Sequence, residues 1–229
     1  MDIDFDLGPA DDADRTGMAP GMADETPSSP RALKRRKKYL FAAMRCIRRV
    51  GTQEATMDLI AAEAGVTRAT IYREFNSRQG LLSAVTAYRF ESFCARFFRR
   101  VDPDLPLADT LEIYFLASAG LALRNTVTRR LVRGSLDFTR PGSALHGVAL
   151  QAWRPCLDRA HFKSSLETLD YEDIVQWILV AQFTLCRLMI DTQMPLPRLR
   201  RYIRNFVLPA FHGAPSNSDG PTFKMRGVR

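Results

Sequence analysis

The segment Thr56–Phe75, TMDLIAAEAGVTRATIYREF, constrains the fold most, because apolar residues recur with helical period on both sides of a glycine. Gly65 readily adopts the positive φ that ends a helix. Thr67 is a favourable N-cap for a second helix. We therefore predict two short helices joined by a glycine turn, with inward-facing positions at Met57, Ile60, Ala61, Ala64, Ile71 and Phe75.

The second of these helices keeps small, polar and basic residues on its outer side. Such a face, carried by a helix docked on a partner helix, suits the major groove of DNA. The alternative is an ordinary helical hairpin, which the spacing alone does not exclude. The outer positions are Arg68, Ala69, Thr70, Tyr72 and Arg73.

The charge distribution favours the DNA interpretation. Residues 1–30 hold eight acidic side chains and one arginine, a net charge of −7, whereas residues 31–89 hold thirteen Lys/Arg and four acidic residues, a net charge of +9. The whole chain carries +8. Cationic side chains that neutralise phosphates release counterions, which drives sequence-independent DNA binding.

From residue 39 to residue 82 the sequence resembles the N-terminal domain of the TetR family of one-component transcriptional regulators. The resemblance covers about a fifth of the chain, and Glu74 departs from it at a position where the family often has histidine. The matching positions are Tyr39, Leu40, Phe41, Ala42, Ala43, Cys46, Ile47, Gly51, Thr56, Ile60, Ala61, Ala64, Gly65, Val66, Thr67, Thr70, Ile71, Tyr72, Phe75, Ser77, Arg78, Leu81 and Leu82.

The resemblance implies that the hydroxyls of Thr70 and Tyr72 hold the phosphate backbone and set the register on DNA. Arg78 is expected to add its charge at the start of the fourth helix. Arg68 and Arg73 are candidate base readers, because arginine pairs well with guanine O6 and N7. The predicted DNA-contacting residues are Thr56, Thr67, Arg68, Ala69, Thr70, Tyr72, Arg73, Arg78 and Lys38.

The rest of the chain reads as helices without alternating strand patterns, so the predicted fold class is all-α. We expect a disordered acidic arm (1–30), a three-helix helix-turn-helix DNA-binding domain (31–76), a helical effector-binding and dimerisation domain (77–212) and a flexible basic tail (213–229). Neither a secretion signal nor a membrane-spanning run is recognised, which predicts a cytoplasmic protein that does not bind a membrane.

No catalytic or metal-binding motif is visible, and we predict neither enzymatic activity nor a cofactor or metal. The cysteines at 46, 94, 156 and 186 form no CxxC pair and are expected to be buried thiols.

Two apolar faces in the second half of the sequence predict binding functions. The last two long helices are apolar on several sides, and the family resemblance implies a two-fold dimer built from them. The predicted dimer contacts are Ile178, Leu185, Leu188, Ile203 and Phe206. Aromatic residues in the preceding helices predict a small-molecule pocket, although each of these side chains could equally belong to the core. The predicted pocket residues are Phe93, Phe97, Tyr114, Phe115, Trp153, Trp177 and Phe183.

The predicted function is a homodimeric transcriptional regulator, a repressor released from palindromic double-stranded DNA by a small, largely apolar effector. One alternative is a regulator of the same fold without a small-molecule ligand. Another, from a different class, is a helical lipid carrier or enzyme whose basic half binds a membrane surface.

Overall fold

A computed structural model of the protein describes residues 29–134, 139–159 and 170–211. Throughout these ranges the secondary structure is helical, without strands, and the predicted all-α class is confirmed. The predicted acidic arm and basic tail lie outside the described residues, except for residues 29 and 30.

Three helices form the N-terminal part: α1 (Pro30–Val50), α2 (Met57–Ala64) and α3 (Arg68–Phe75). The hydroxyl of Ser29 caps α1 by accepting a hydrogen bond from the backbone N–H of Ala32 at 3.2 Å. Helix α2 ends at Gly65 in the left-handed conformation, with φ 64° and ψ 43°, as the sequence predicts. Both α1 and α3 pack against α2, and the glycine turn sets the angle between α2 and α3.

Four helices follow: α4 (Arg78–Arg100), α5 (Leu107–Arg124), α6 (Thr126–Val132) and α7 (Ala144–Leu157). Helix α4 belongs to both halves of the molecule, because it packs against α1 and α3 at one end and against α7 along its length. Helix α6 ends at Val132, and residues 135–138 lie outside the described ranges.

The chain continues through α8 (Tyr171–Thr192) and α9 (Leu196–Tyr202), then a π-helical turn (Ile203–Val207) and a final 3₁₀ turn (Leu208–Phe211). Helix α8 is long and apolar enough to cross a membrane by length and composition, with a mean hydropathy of 1.4. However, 56% of its most apolar window is buried within the fold. Because core helices of globular proteins meet the same criterion, this is weak evidence for a membrane span.

An aromatic cluster fills the centre of the second half, where α4, α5 and α7 meet. The rings of Phe93 and Tyr114 lie 5.4 Å apart, and those of Tyr114 and Trp153 lie 4.8 Å apart in an edge-to-face arrangement. Offset and edge-to-face pairs of this kind add stability beyond their buried area. The cluster therefore anchors the far end of α4, the helix whose near end supports α3.

Candidate nucleic-acid interface

Helix α3 presents its polar side to solvent. Ile71 and Phe75 are buried against the rest of the domain, whereas Arg68, Ala69 and Arg73 are exposed. Thr70 and Tyr72, which are half-buried, border this face. The structure therefore brings together on one surface the outer residues that the sequence selects.

Threonine hydroxyls lie at the N-terminal ends of both α2 and α3. The hydroxyl oxygen of Thr56 accepts a hydrogen bond from the N–H of Leu59 at 3.3 Å, and that of Thr67 accepts one from the N–H of Thr70 at 3.3 Å. The hydroxyls of Thr67 and Thr70 also lie 2.9 Å apart. Since a capping hydroxyl keeps its own proton to donate, and helix N-termini carry partial positive charge, these positions suit phosphate oxygens.

Arg68 is held in place before any DNA arrives. Its guanidinium donates a hydrogen bond to the carboxylate of Asp58 at 2.9 Å and lies 5.2 Å from the ring centroid of Tyr72. The ion pair is exposed, so it contributes little stability and is readily exchanged. The Arg68 guanidinium can therefore exchange its contact with Asp58 for one with a base or phosphate while it stays packed on the ring of Tyr72.

Arg73 and Lys38 are the cations of the predicted set that extend freely into solvent. Both side chains are exposed, and neither forms an ion pair within the part of the chain that the structure describes. Arg73 lies on the outer side of α3, and Lys38 lies on α1. Neither side chain has to break an internal ion pair in order to meet DNA.

Arg78 has a structural role that the sequence does not predict. Its guanidinium donates hydrogen bonds to the backbone carbonyls of Ala55 at 3.2 Å and Gln53 at 3.1 Å, and also to that of Thr52. Its half-buried side chain thus fastens the start of α4 to the turn between α1 and α2. Its Nε and Nη2 donors are thereby engaged inside the protein, which argues against a phosphate contact by these two atoms; the contact itself stays a prediction.

Glu74, which is unusual for a DNA-facing helix, is turned towards α1. A guanidinium nitrogen of Arg36 donates to its carboxylate at 3.1 Å, and Arg35 approaches it at 3.8 Å. The Arg36 guanidinium also lies 4.7 Å from the ring centroid of Phe75. Sequence reasoning missed this contact because residues 36 and 74 are far apart along the chain. Its effect is to neutralise a negative charge on the DNA-binding helix.

Helix α6 connects the second half of the chain to α1. Arg130 donates to the carbonyl of Arg48 at 3.0 Å and also to that of Ile47, both at the C-terminal end of α1. Arg89 of α4 donates to the hydroxyl of Thr128 at 2.8 Å, and another of its nitrogens lies 3.8 Å from the sulfur of Met44. A displacement of α6 or of Arg89 is therefore transmitted to α1 through these contacts.

A small cavity lies beside this connection, between α4, α5, α6 and α8. Its volume is about 50 Å³ and its walls are mostly apolar. Ligand sites for drug-sized molecules are larger, about 300–1,000 Å³. The lining residues are Thr86, Arg89, Phe90, Phe93, Ser118, Leu121, Thr128, Leu131, Val132, Gln182, Phe183 and Cys186.

The predicted pocket residues divide between this cavity and the core. Phe93 and Phe183 line the cavity. The other predicted residues do not line this cavity, and their assignment to a pocket stays a prediction. Trp177 is half-buried and packs against Phe115, and the remaining ones are fully buried in the aromatic cluster, namely Phe97, Tyr114, Phe115 and Trp153. The sequence missed Arg89 and Gln182 because polar residues in apolar helices give no pocket signal. Gln182 accepts a hydrogen bond from Tyr114 at 2.7 Å, which links cavity and core.

The predicted dimer residues also divide. Ile178, Leu185 and Ile203 are buried in the protomer's own core, so their assignment to a partner-facing surface is corrected. Leu188 is half-buried, and Phe206 is 72% exposed. The exposed apolar side chains on α8 and the C-terminal segment that the sequence did not select are Val180, Leu196 and Tyr202.

All four cysteines are buried free thiols. Burial raises the pKa of Cys156 to about 11 and that of Cys186 to about 12. Burial also raises the pKa of Cys46 and of Cys94. Among the described residues no three His, Cys, Asp or Glu side chains are grouped so that they could hold a metal ion.

Comparison with known proteins agrees with this architecture. Residues 40–85 match the family described as bacterial regulatory proteins, tetR family. Over 54 residues the chain is 41% identical to the uncharacterized HTH-type transcriptional regulator TtgW of Pseudomonas putida. That match spans 24% of this chain and 40% of the relative.

Solved structures of TetR regulators share the fold over most of the chain. A TetR-family transcriptional regulator from Pectobacterium atrosepticum aligns with a TM-score of 0.54 at 17% identity, covering 75% of this chain and 90% of that one. The structure of RolR in complex with resorcinol aligns with a TM-score of 0.56 at 17% identity, covering 80% and 89%. The N-terminal helices therefore resemble those of DNA-binding transcriptional regulators, and the remainder shares the all-helical fold of the solved structures. Residues 40–85 are thus similar to the TetR family of bacterial regulatory proteins.

Proposed function

We propose that this protein is a cytoplasmic homodimeric repressor that binds a palindromic operator and is released from it by a small, largely apolar effector. The observation that carries the DNA-binding part is the outer face of α3, where Arg73 and Ala69 are exposed beside the hydroxyls of Thr67 and Thr70. Small and cationic side chains on one helical face match the requirements of base-edge contact in a major groove. The capping hydroxyls supply phosphate contacts that fix the register.

Dimerisation is supported by exposed apolar side chains on the two segments that pack against α5. Val180 of α8 is 42% exposed, and Phe206 and Tyr202 form an exposed ring pair with centroids 5.0 Å apart. Aromatic side chains left on a surface are typical of a protein interface. A two-fold dimer presents two copies of α3, and a palindromic operator mirrors that symmetry.

Release by an effector is supported by the position of the cavity. Arg89 and Thr128 belong to its wall and are hydrogen-bonded to each other, and they lie next to α1 and to the Arg130 contact. Because the volume of the cavity is only about 50 Å³, a larger ligand that enters between these helices displaces α4 or α6. Such a ligand favours the displaced state and lowers the DNA affinity by its difference in affinity for the two states.

Selection of bound duplexes from a random pool tests the DNA-binding and dimer parts together. A symmetric site with half-sites one helical turn apart, or a small multiple of that, is expected. An unsymmetric site, or recovery of unselected sequences, would contradict the palindrome. Thermal unfolding with a panel of apolar acids, phenols and acyl thioesters tests the effector, and a panel without any shift in Tm would count against it.

A further inference from the structure

The cationic side chains of α1 fall into two groups. Arginines at several positions are paired: Arg45 and Arg49 contact Glu63 at 2.7 and 3.1 Å, and Arg36 contacts Glu74. Arg31, Lys34 and Lys38 are spaced three and four residues apart, so they lie on one side of the helix, and all three are exposed. We call these three residues the outer basic face of α1.

The outer basic face has no counter-charge in the described part of the chain. Residues 29–89 contain four carboxylates, and three of them already pair with arginines: Asp58 with Arg68, Glu63 with α1, and Glu74 with α1. None of the ion pairs among the described residues involves Arg31, Lys34 or Lys38. Like charges on adjacent turns repel each other, so an anionic partner for this face is stabilising.

The segment directly before α1 carries the opposite charge. Residues 1–28 contain eight Asp and Glu and a single arginine. Asp14 precedes Ser29 by 15 residues, a length of chain that reaches about 50 Å when extended. The 21 residues of α1 rise about 30 Å. The acidic residues can therefore reach every turn of α1, and their covalent attachment gives them an effective concentration in the millimolar range.

We propose that the acidic segment 1–28 binds the outer basic face of α1 and competes there with DNA phosphates. This inference rests on the proposed DNA-binding function and adds its regulation. The competition weakens binding to any duplex through sequence-independent charge, while base contacts by α3 are left unchanged. Because operator and non-operator duplexes both use these phosphate contacts, the affinity for each falls by a similar factor.

The competition also changes the salt dependence. DNA that displaces the acidic segment gives a smaller net release of ions, because the freed carboxylates recover cations from solution. The slope of log K against log salt is therefore shallower than the number of phosphate contacts alone would give. Neutralising the segment should make the slope steeper.

The test is a four-protein cycle on the full chain, read by fluorescence anisotropy with a random-sequence duplex over a range of KCl concentrations. The variants replace the eight acidic residues of 1–28 by Asn or Gln, replace Arg31, Lys34 and Lys38 by Gln, or combine both changes. A fifth protein, with residues 1–28 in shuffled order, keeps charge and length. Thermal unfolding of each protein checks that the fold is intact.

We expect the neutralised segment to tighten non-operator binding on the order of tenfold at low salt and to steepen the salt slope. The shuffled protein should bind like the unchanged chain, and neutralisation should have almost no effect once the outer basic face is removed. If neutralisation tightens DNA binding equally with and without the outer basic face, the effect is one of net charge and the docking is overturned. The docking is also overturned if neutralisation does not tighten DNA binding at all. If the unchanged chain and the neutralised one both fail to bind any duplex, the proposed function itself fails.

Discussion

Individual polar side chains decide which parts of the N-terminal domain are available to DNA. Arg78 and Arg36 look like surface cations in the sequence, yet one is bound to backbone carbonyls and the other to Glu74. Arg73 and Lys38 have the same charge and extend into solvent. The distinction between cations that stabilise the fold and cations that can meet DNA is therefore visible only in three dimensions.

Replacing Arg73 by Ala should relax base preference at one position of each half-site and cost about 1–3 kcal/mol of specific binding. The reason is that an exposed arginine on the outer face of α3 is placed for bidentate pairing with guanine. Affinities for a set of single-base operator variants provide the measurement. Arg99→Ala, an exposed arginine at the far end of α4, is the charge-matched control. If Arg73→Ala weakens all sequences equally, Arg73 contacts phosphate only.

Replacing Arg78 by Met should destabilise the fold by about 1–3 kcal/mol, because backbone carbonyls lose their donors. Urea unfolding measures this loss. The salt slope of DNA binding should stay unchanged, whereas Lys38→Met should lower it by roughly one per protomer. A lower salt slope in the Arg78→Met variant, without any loss of stability, would show that Arg78 does contact a phosphate.

At the scale of elements, the corner between α3 and α4 determines the position of α3 relative to the rest of the protein. Ser77 caps α4 by accepting a hydrogen bond from the N–H of Gly80 at 2.9 Å. A Cβ placed on Gly80 would lie 2.2 Å from the carbonyl oxygen of Phe75, the last residue of α3. This approach between backbones is possible only at a glycine, so Gly80 fixes the distance between the two helices.

Gly80→Ala should therefore force α3 and α4 apart and destabilise the protein by about 1–3 kcal/mol, despite the higher helix propensity of alanine. Gly147→Ala, inside α7, is the matched control, since nothing lies within 4 Å of its Cβ position. That variant should be neutral or more stable by up to about 1 kcal/mol. Thermal unfolding compares the two. An unchanged Tm for Gly80→Ala would show that the corner yields without strain.

Local elements could be predicted from the sequence, whereas contacts between elements could not. The cap at Thr67, the turn at Gly65 and the inward residues Ile71 and Phe75 follow from neighbouring residues, and each is observed. The Arg78 hydrogen bonds join positions more than twenty residues apart, and no periodic pattern encodes them. Only Phe93 and Phe183 among the aromatic residues chosen for a pocket line the described cavity, because bulky rings such as Trp153 fill a core as readily as they line a cavity.

For the whole molecule, α5 is the common support of the two segments proposed to form the dimer. The buried carboxylate of Glu112 on α5 accepts a hydrogen bond from Arg204 at 2.7 Å and forms an ion pair with Arg200 at 3.2 Å. This double contact fixes the C-terminal segment, including its π-helical turn, against the core. Phe206, within that turn, is consequently held on the outside.

Phe206→Glu should dissociate the proposed dimer, because a carboxylate cannot be buried there without a cationic partner. Analytical ultracentrifugation over a range of concentrations is expected to show monomers, and the full operator should be bound more weakly than by the unchanged protein. Leu123→Glu, another exposed apolar position, is the control and should leave the mass unchanged. A dimer that survives Phe206→Glu would move the interface to another surface.

The buried thiols have a practical consequence for spectroscopy. Thiolates are the reactive form, and at neutral pH the raised pKa values of Cys156 and Cys186 leave almost none. Maleimide labels should therefore not react with the four native cysteines in the folded protein. A single cysteine introduced at an exposed site such as Gln79 would then carry a spin label or fluorophore without prior removal of the natural cysteines. The distance between the two labels of the proposed dimer would report the separation of its two copies of α3.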